Sequence, residues 1–218
     1  MAGAADGLLL QDMLPVGIAE ELKLKGFVEP VFFPDTAVIF TDFEHFTESA
    51  ALLTPSEVVD LLHTYFTEFD SIVARHGLEK IKTIGDSYMA VAGVPTPHIS
   101  PYRAACDAAL EIAASSRRIS GPDGWDIRIG IHAGPLVAGV IGKHKYSYDV
   151  WGSTVNMASR MESSGIPGKI NVSADLRAKV ETDYDWEYRG FNPVKGLGLA
   201  EMYILVGKNA LRDAAAAE

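Results

Sequence analysis

Two short runs, Leu78 to Ile84 and Tyr88 to Ala92, are strand-like and meet at Gly85-Asp86-Ser87. Gly and Asp supply the backbone freedom and local hydrogen bonding that a tight turn needs, so this stretch reads as a β-hairpin. A lone hairpin is at best marginally stable in water, so the chain must cover it. Thr54-Pro55-Ser56-Glu57, upstream, is a helix start: Thr54 can cap, Pro55 suits the first turn and Glu57 can bond back to the cap. Val58, Leu61, Leu62, Tyr65, Phe69, Ile72 and Val73 follow at helical spacing, and Gly77 closes that helix as a left-handed cap. Downstream, Tyr102 to Ile119 reads as a second long helix. Ala37 to Phe40, bounded by Pro34-Asp35 and Asp42, reads as a buried strand. Trp125 to His132 and Leu136 to Ile141 read as a second strand pair around Gly134-Pro135. Ser153 to Ser164 reads as a third helix ended by Gly165, and Lys169 to Val206 as short strands with one helical stretch. The order strand, helix, hairpin, helix, strand is the ferredoxin-like pattern. The expected fold class is therefore α+β, an antiparallel sheet with helices on one face.

No repeat, linker or low-complexity stretch splits the 218 residues. The expected division is an N-terminal segment with a linker helix over 1–30, one folded unit over 31–207 and a tail over 208–218. Residues 1–6 and the Ala-rich end from Ala214 are expected to be unstructured. From Leu8 to Leu24 apolar residues recur, but Pro15 and Gly17 interrupt the spacing, so one short helix or two is expected there. Such a helix either links a dimer or packs on its own domain.

Lys and Arg number 19 against 29 Asp and Glu, a net charge of −10. Nucleic-acid binding needs clustered cations, so that class is set aside. An anionic substrate would have to be met locally, by metal ions or a few placed cations. The single cysteine, Cys106, excludes an internal disulfide and a multi-Cys zinc site. It fits a reducing, cytoplasmic setting. No apolar run approaches the roughly 18 residues that span a bilayer, so no transmembrane segment is expected.

Two carboxylates stand out. Asp42 ends the first strand and Asp86 sits at the hairpin tip. In a ferredoxin-like sheet those elements are neighbours, so the two can meet. Mg²⁺ takes one or two carboxylates and fills its shell with waters and substrate phosphates.

The residues around them resemble a known family. Ile39-Phe40-Thr41-Asp42-Phe43-Glu44-His45-Phe46-Thr47, then Lys80 to Ala90 (KIKTIGDSYMA), Ile131-His132-Ala133-Gly134 with Val137 to Gly142, and Tyr148-Asp149-Val150-Trp151-Gly152 leading to Asn156 through Glu162 (NMASRME), are similar in order and content to class III adenylate and guanylate cyclases. The resemblance runs from about Val31 to Val206. It implies an adenylate cyclase that converts ATP to 3′,5′-cyclic AMP and pyrophosphate. It implies two divalent metal ions, Mg²⁺ or Mn²⁺, held by Asp42, Asp86 and the Phe43 carbonyl. Backbone N–H groups near Phe46 and Thr47 would face phosphate. Lys82 and Asp149 would read adenine, Lys82 donating to N1 and Asp149 accepting from the exocyclic amine. Guanylate cyclases typically carry Glu and a small residue such as Cys there. Asn156 would position the ribose, Arg160 would stabilise charge on the α-phosphate, and Lys195 would meet the terminal phosphates. The family site is shared across a head-to-tail homodimer. The alternatives are a guanylate or relaxed-specificity cyclase, and a catalytically silent homologue acting as a dimerisation module. One departure is His45, where relatives often have Gly. His132, inside an apolar strand, is expected to be a core residue rather than a ligand.

Overall fold

A computed structural model describes residues 13–121, 125–143 and 145–209. The stretch before Met13 and the tail from Ala214 lie outside the described residues. The elements are α1 (Val16–Lys25), β1 (Val31–Phe43), α2 (Phe46–Ala50), α3 (Pro55–Arg75), β2 (Leu78–Ile84), β3 (Ser87–Ala92), α4 (Pro101–Ser120), β4 (Ile127–Ile141), β5 (Ser147–Trp151), α5 (Ser153–Ser163), β6 (Ile170–Ser173), α6 (Ala174–Lys179), β7 (Tyr184–Val194) and β8 (Gly198–Lys208). The eight strands form one sheet in the order β2-β3-β1-β4-β6-β8-β7, with β5 paired to β4. The stretch β2-β3-β1-β4 is the expected ferredoxin-like unit, each strand antiparallel to its neighbour.

Local chemistry places the first elements. Thr54 and Glu57 form the capping box at the start of α3: the Glu57 N–H donates to Thr54 Oγ1 at 3.3 Å, and the Thr54 N–H donates to Glu57 Oε2 at 2.8 Å. Gly77 follows the end of α3 at φ 69°, the left-handed conformation that glycine adopts without a Cβ penalty. Tyr65, Phe69, Ile72 and Val73 of α3 and the Ala-rich face of α4 bury against Ala37, Ile39, Tyr88 and Ala90 of the sheet.

Three expectations are corrected. The first strand is longer than Ala37 to Phe40: β1 runs from Val31 to Phe43 and absorbs Pro34-Asp35 as an irregularity between Phe33 and Thr36. The residues around Gly134-Pro135 do not turn, because β4 is one strand of 15 residues. Gly134 pairs with Thr36 and Leu136 with Phe33, which leaves Pro135 opposite the bulge. A proline there forfeits no ladder hydrogen bond, so its missing N–H costs little. The far half of β4 pairs instead with β5 on one edge, from Val137↔Trp151 to Ile141↔Ser147, while Leu136 to Ala138 keep β1 on the other.

The third correction concerns the helices, which cover both faces rather than one. β4 and β6 run parallel, which demands a crossover, and α5 supplies it. A second buried cluster joins Leu14, Ala19 and Leu22 at α1, Ala158 of α5 and Tyr148 and Val150 of β5 to Val38, Phe40, Met89 and Val91. The N-terminal helix thus packs on its own domain. Pro15 stops it at its start, whereas Gly17 lies inside it. Gly130 lets α5 settle on β4: a Cβ there would lie 1.9 Å from the Glu162 backbone nitrogen. Among the described residues no helix is long and apolar enough to cross a membrane.

Candidate active site

Strand alternation decides which side chains share a face. On β1, Val38 and Phe40 face the α5 side, and Asp42 continues that series two residues on. Phe43 turns the other way and buries its ring against Tyr65 and Trp125, at centroid distances of 4.6 and 5.6 Å. Only its backbone is left to the site. The hairpin brings in the second carboxylate. Asp86 occupies the two-residue turn between β2 and β3, and Ser87 beside it donates through Oγ to Asp42 Oδ1 at 2.8 Å. Burial first, then the Asp42 charge, hold the Asp86 carboxyl above its usual range, against the N–H groups of Asp86 and Phe43. The two expected metal carboxylates therefore meet, at the ends of neighbouring strands.

The Asp42 side chain is only 20% exposed and is engaged on both oxygens. Arg128, its direct partner across the β1–β4 ladder, donates through Nη2 to Asp42 Oδ2 at 2.7 Å. The same guanidinium donates through Nε to Glu162 Oε1 at 3.1 Å. Its Nη1 lies 2.5 Å from Glu44 Oε2, an ion pair without hydrogen-bond alignment. Burial alone would lower the Arg128 pKa, but Asp42, Glu162 and Glu44 outweigh it and raise it. Burial, and then the Asp42 charge, raise Glu162 to about 7 despite Arg128. Sequence reasoning missed Arg128. The available signal was a lone cation inside Ile127-Arg128-Ile129-Gly130-Ile131, where period 2 places it beside Gly130 rather than with the isoleucines.

Lys82 and Asp149 also meet. The Lys82 Nζ donates to Asp149 Oδ2 at 2.6 Å, joining β2 to β5. The Val150 N–H donates to Asp149 Oδ1 at 2.9 Å and fixes the carboxylate. Lys82 lies four residues before Asp86, roughly 13 Å along an extended strand.

The other expected residues do not join either cluster. Asn156 is exposed on α5, and neither it nor Arg160 has a side-chain hydrogen bond or ion pair among the described residues. Helical geometry explains this. Arg160 precedes Glu162 by two positions, roughly 200° around the axis, while Asn156 and Arg160 lie within about 40° of each other. Glu162 points at the chain's own Arg128, so Arg160 and Asn156 point away from it. Lys195 is exposed in the β7–β8 turn, at the far end of the strand order from β1. Phe46 packs its ring 5.1 Å from Trp125, and Thr47 is exposed. They open α2, a helix of only five residues.

His45 precedes α2 at φ 54°, the one non-glycine residue with positive φ among the described residues. Glycine takes that conformation without cost, whereas the Cβ of His45 makes it strained. The His45 side chain is exposed, 3.2 Å from Glu48 and 3.5 Å from Glu44.

His132 is buried, as expected of a core residue, with Nδ1 2.7 Å from Ser173 Oγ and 4.0 Å from Asp175. Burial lowers its pKa from 6.5, with Asp175 opposing. The unfolded chain therefore binds the extra proton more readily. This contribution to stability is complete above about pH 6.5 and is lost as pH falls through that value toward the folded pKa. Urea unfolding between pH 7.5 and 5.5 should show wild type losing more stability than His132→Gln. Parallel curves would remove His132 as the source.

Two adjoining carboxylates, one with a raised pKa, suit a hard divalent cation that also takes water and phosphate oxygens. No third His, Cys, Asp or Glu side chain among the described residues completes a purely protein cage with them. The donor set therefore fits metal ions bound together with an anionic substrate.

Comparison with known proteins agrees in fold and in sequence. Residues 29–207 match the family described as adenylate and guanylate cyclase catalytic domain. The chain is 39% identical over 208 residues to an adenylate cyclase of Mycobacterium tuberculosis (strain ATCC 25618 / H37Rv), covering 94% of this chain and 47% of that protein. It is 41% identical over 215 residues to retinal guanylyl cyclase 1 of Mus musculus, covering 92% of this chain and 19% of that protein. The chain thus spans less than half the length of either relative. Among solved structures, the guanylate cyclase domain of RhGC from Catenaria anguillulae in complex with GTP superimposes with a TM-score of 0.79 at 29% identity, covering 82% of this chain and 100% of that one.

Proposed function

The chain belongs to the adenylate and guanylate cyclase catalytic domain family, and on that premise we propose that residues 31–207 convert ATP to 3′,5′-cyclic AMP and pyrophosphate in a head-to-tail homodimer. The Lys82–Asp149 pair carries the choice of ATP. A donor and an acceptor stand side by side, which suits an acceptor ring nitrogen next to a donor amine, the edge that adenine offers. Guanine presents the reverse, a donor ring nitrogen beside an acceptor oxygen.

Asp42, Asp86 and the Phe43 carbonyl would hold two divalent ions. When bound, Mg²⁺ or Mn²⁺ supplies a lowered pKa for the ribose 3′-hydroxyl and neutralises phosphate charge. The chain's own residues do the positioning. Asn156 holds the ribose, and Arg160 meets the charge that develops on the α-phosphate. Lys195, the N–H groups at Phe46 and Thr47, and the guanidinium of Arg128 beside Asp42 offer donors to the leaving phosphates. No side-chain general base is assigned. Positioning and charge stabilisation are sufficient for this class of displacement.

The outward aim of Asn156 and Arg160 supports a shared site. They turn away from the carboxylates of their own chain, so a second chain related by a two-fold axis is where they would act. The lone Cys106, buried in the core, is consistent with a cytoplasmic setting. The test is product identification after incubation with ATP or GTP and Mn²⁺ or Mg²⁺. Cyclic AMP should form, with ATP preferred over GTP by about tenfold or more. Cyclic GMP as the main product would reverse the base assignment, and no product would indicate a silent module.

A further inference from the structure

We propose that Glu162 is a positioning residue for the metal side of the site. It anchors Arg128 so that the guanidinium can release Asp42 to an arriving cation without leaving the site. The proposal rests on the reading of Asp42 as a metal ligand. Arg128 and such a cation would compete for one atom, because Arg128 Nη2 already donates to Asp42 Oδ2 at 2.7 Å. Asp42 Oδ1 is taken by Ser87. A divalent ion beside Oδ2 repels the guanidinium, which must shift its charge toward its other partners.

Those partners differ in firmness. Glu44 lies outside β1, one residue before the left-handed His45, and its contact lacks hydrogen-bond alignment. Glu162 accepts from Arg128 Nε, its side chain is only 11% exposed, and its backbone is pressed onto β4 where Gly130 leaves no room. Glu162 is therefore the fixed end of the relay. Without its charge, Arg128 is balanced by Asp42 and Glu44 alone and holds Asp42 more tightly. Glu162 thus acts through Arg128, and its effect belongs to the site that receives its own chain's Asp42.

The experiment is calorimetric titration of the full chain with Mn²⁺ alone, without nucleotide, at about pH 8, where Glu162, raised to about 7, is ionised. Glu162→Gln, which keeps the acceptor oxygen and removes the charge, should weaken Mn²⁺ affinity about tenfold. In turnover, it should raise the Mn²⁺ needed for half-maximal rate more than it lowers kcat. Unchanged affinity overturns the proposal, provided Asp42→Asn loses Mn²⁺ binding. If Asp42→Asn binds Mn²⁺ normally, the metal reading of Asp42 falls, and this proposal with it. A double-mutant cycle separates the relay from plain charge. In an Arg128→Gln background, Glu162→Gln should change Mn²⁺ affinity no further. A persisting tenfold loss means that Glu162 acts on the ion directly and overturns the relay. That comparison also decides the matter if Glu162→Gln alone does not fold, because the double variant leaves no unbalanced charge between the two residues.

Discussion

Asp42→Ala chains mixed with Arg160→Ala chains will recover about a quarter of wild-type activity, although each variant alone is inactive. Asp42→Ala removes one of the two adjoining carboxylates, and turnover should fall by about a thousandfold or more. The fold should survive, since Arg128 keeps Glu44 and Glu162 as partners. Arg160→Ala removes a cation whose side chain makes no hydrogen bond or ion pair within its own chain among the described residues, so it should cost activity with little loss of stability. If one site draws its carboxylates from one chain and its Asn156 and Arg160 from the other, a mixed dimer has one site with both intact and one with neither. Random pairing places about half of the chains in mixed dimers, each with one working site of two, hence the quarter. The measurement is cyclic nucleotide production after verified subunit exchange. No recovery would show that a single chain builds the whole site. Asp86→Ala should behave as Asp42→Ala does in the same mixing experiment.

The second large effect concerns the base. Replacing Lys82 with Glu and Asp149 with Cys should lower ATP turnover by about a hundredfold or more and expose turnover of GTP. In wild type the ammonium and carboxylate stand 2.6 Å apart, each holding the other in place, with Asp149 further pinned by the Val150 N–H. A nucleobase entering there exchanges that bond for two of its own only if its edge carries the matching acceptor and donor. Glu at 82 leaves the adenine ring nitrogen facing an acceptor, and an unpaired polar contact in a partly buried site is costly. Single substitutions should lose ATP turnover without gaining GTP, because each leaves half of the adenine pattern. The readout is kcat/KM for both nucleotides in wild type and the three variants. Undiminished ATP use in the double variant would show that these residues do not face the base.

How much of this was legible in the chain depended on the range of the interaction. The capping box at Thr54 and Glu57, the cap at Gly77 and the turn at Gly85-Asp86 depend on neighbours within a few residues, and each formed where expected. The placement of Asp42 near Asp86 followed from topology alone, because a ferredoxin-like sheet puts the first strand beside the hairpin. Gly134-Pro135 misled because its turn chemistry is real but unused. The bulge in β1, about a hundred residues earlier in the chain, receives the proline and keeps β4 straight.

The sequence by itself determined the family, the locally capped elements and the residue types that the proposed chemistry needs, since these follow from short-range backbone preferences and from similarity in order. Only the tertiary structure decided what those residues do to one another. Lys82 reaches Asp149 across 67 residues, and Arg128 reaches Asp42 across 86. Both contacts depend on strand register, and a slip of one residue would turn every side chain of a strand to the opposite face. Register is set by the summed burial of both sheet faces, with α3 and α4 on one and α1, β5 and α5 on the other, and no local stretch of sequence contains that sum.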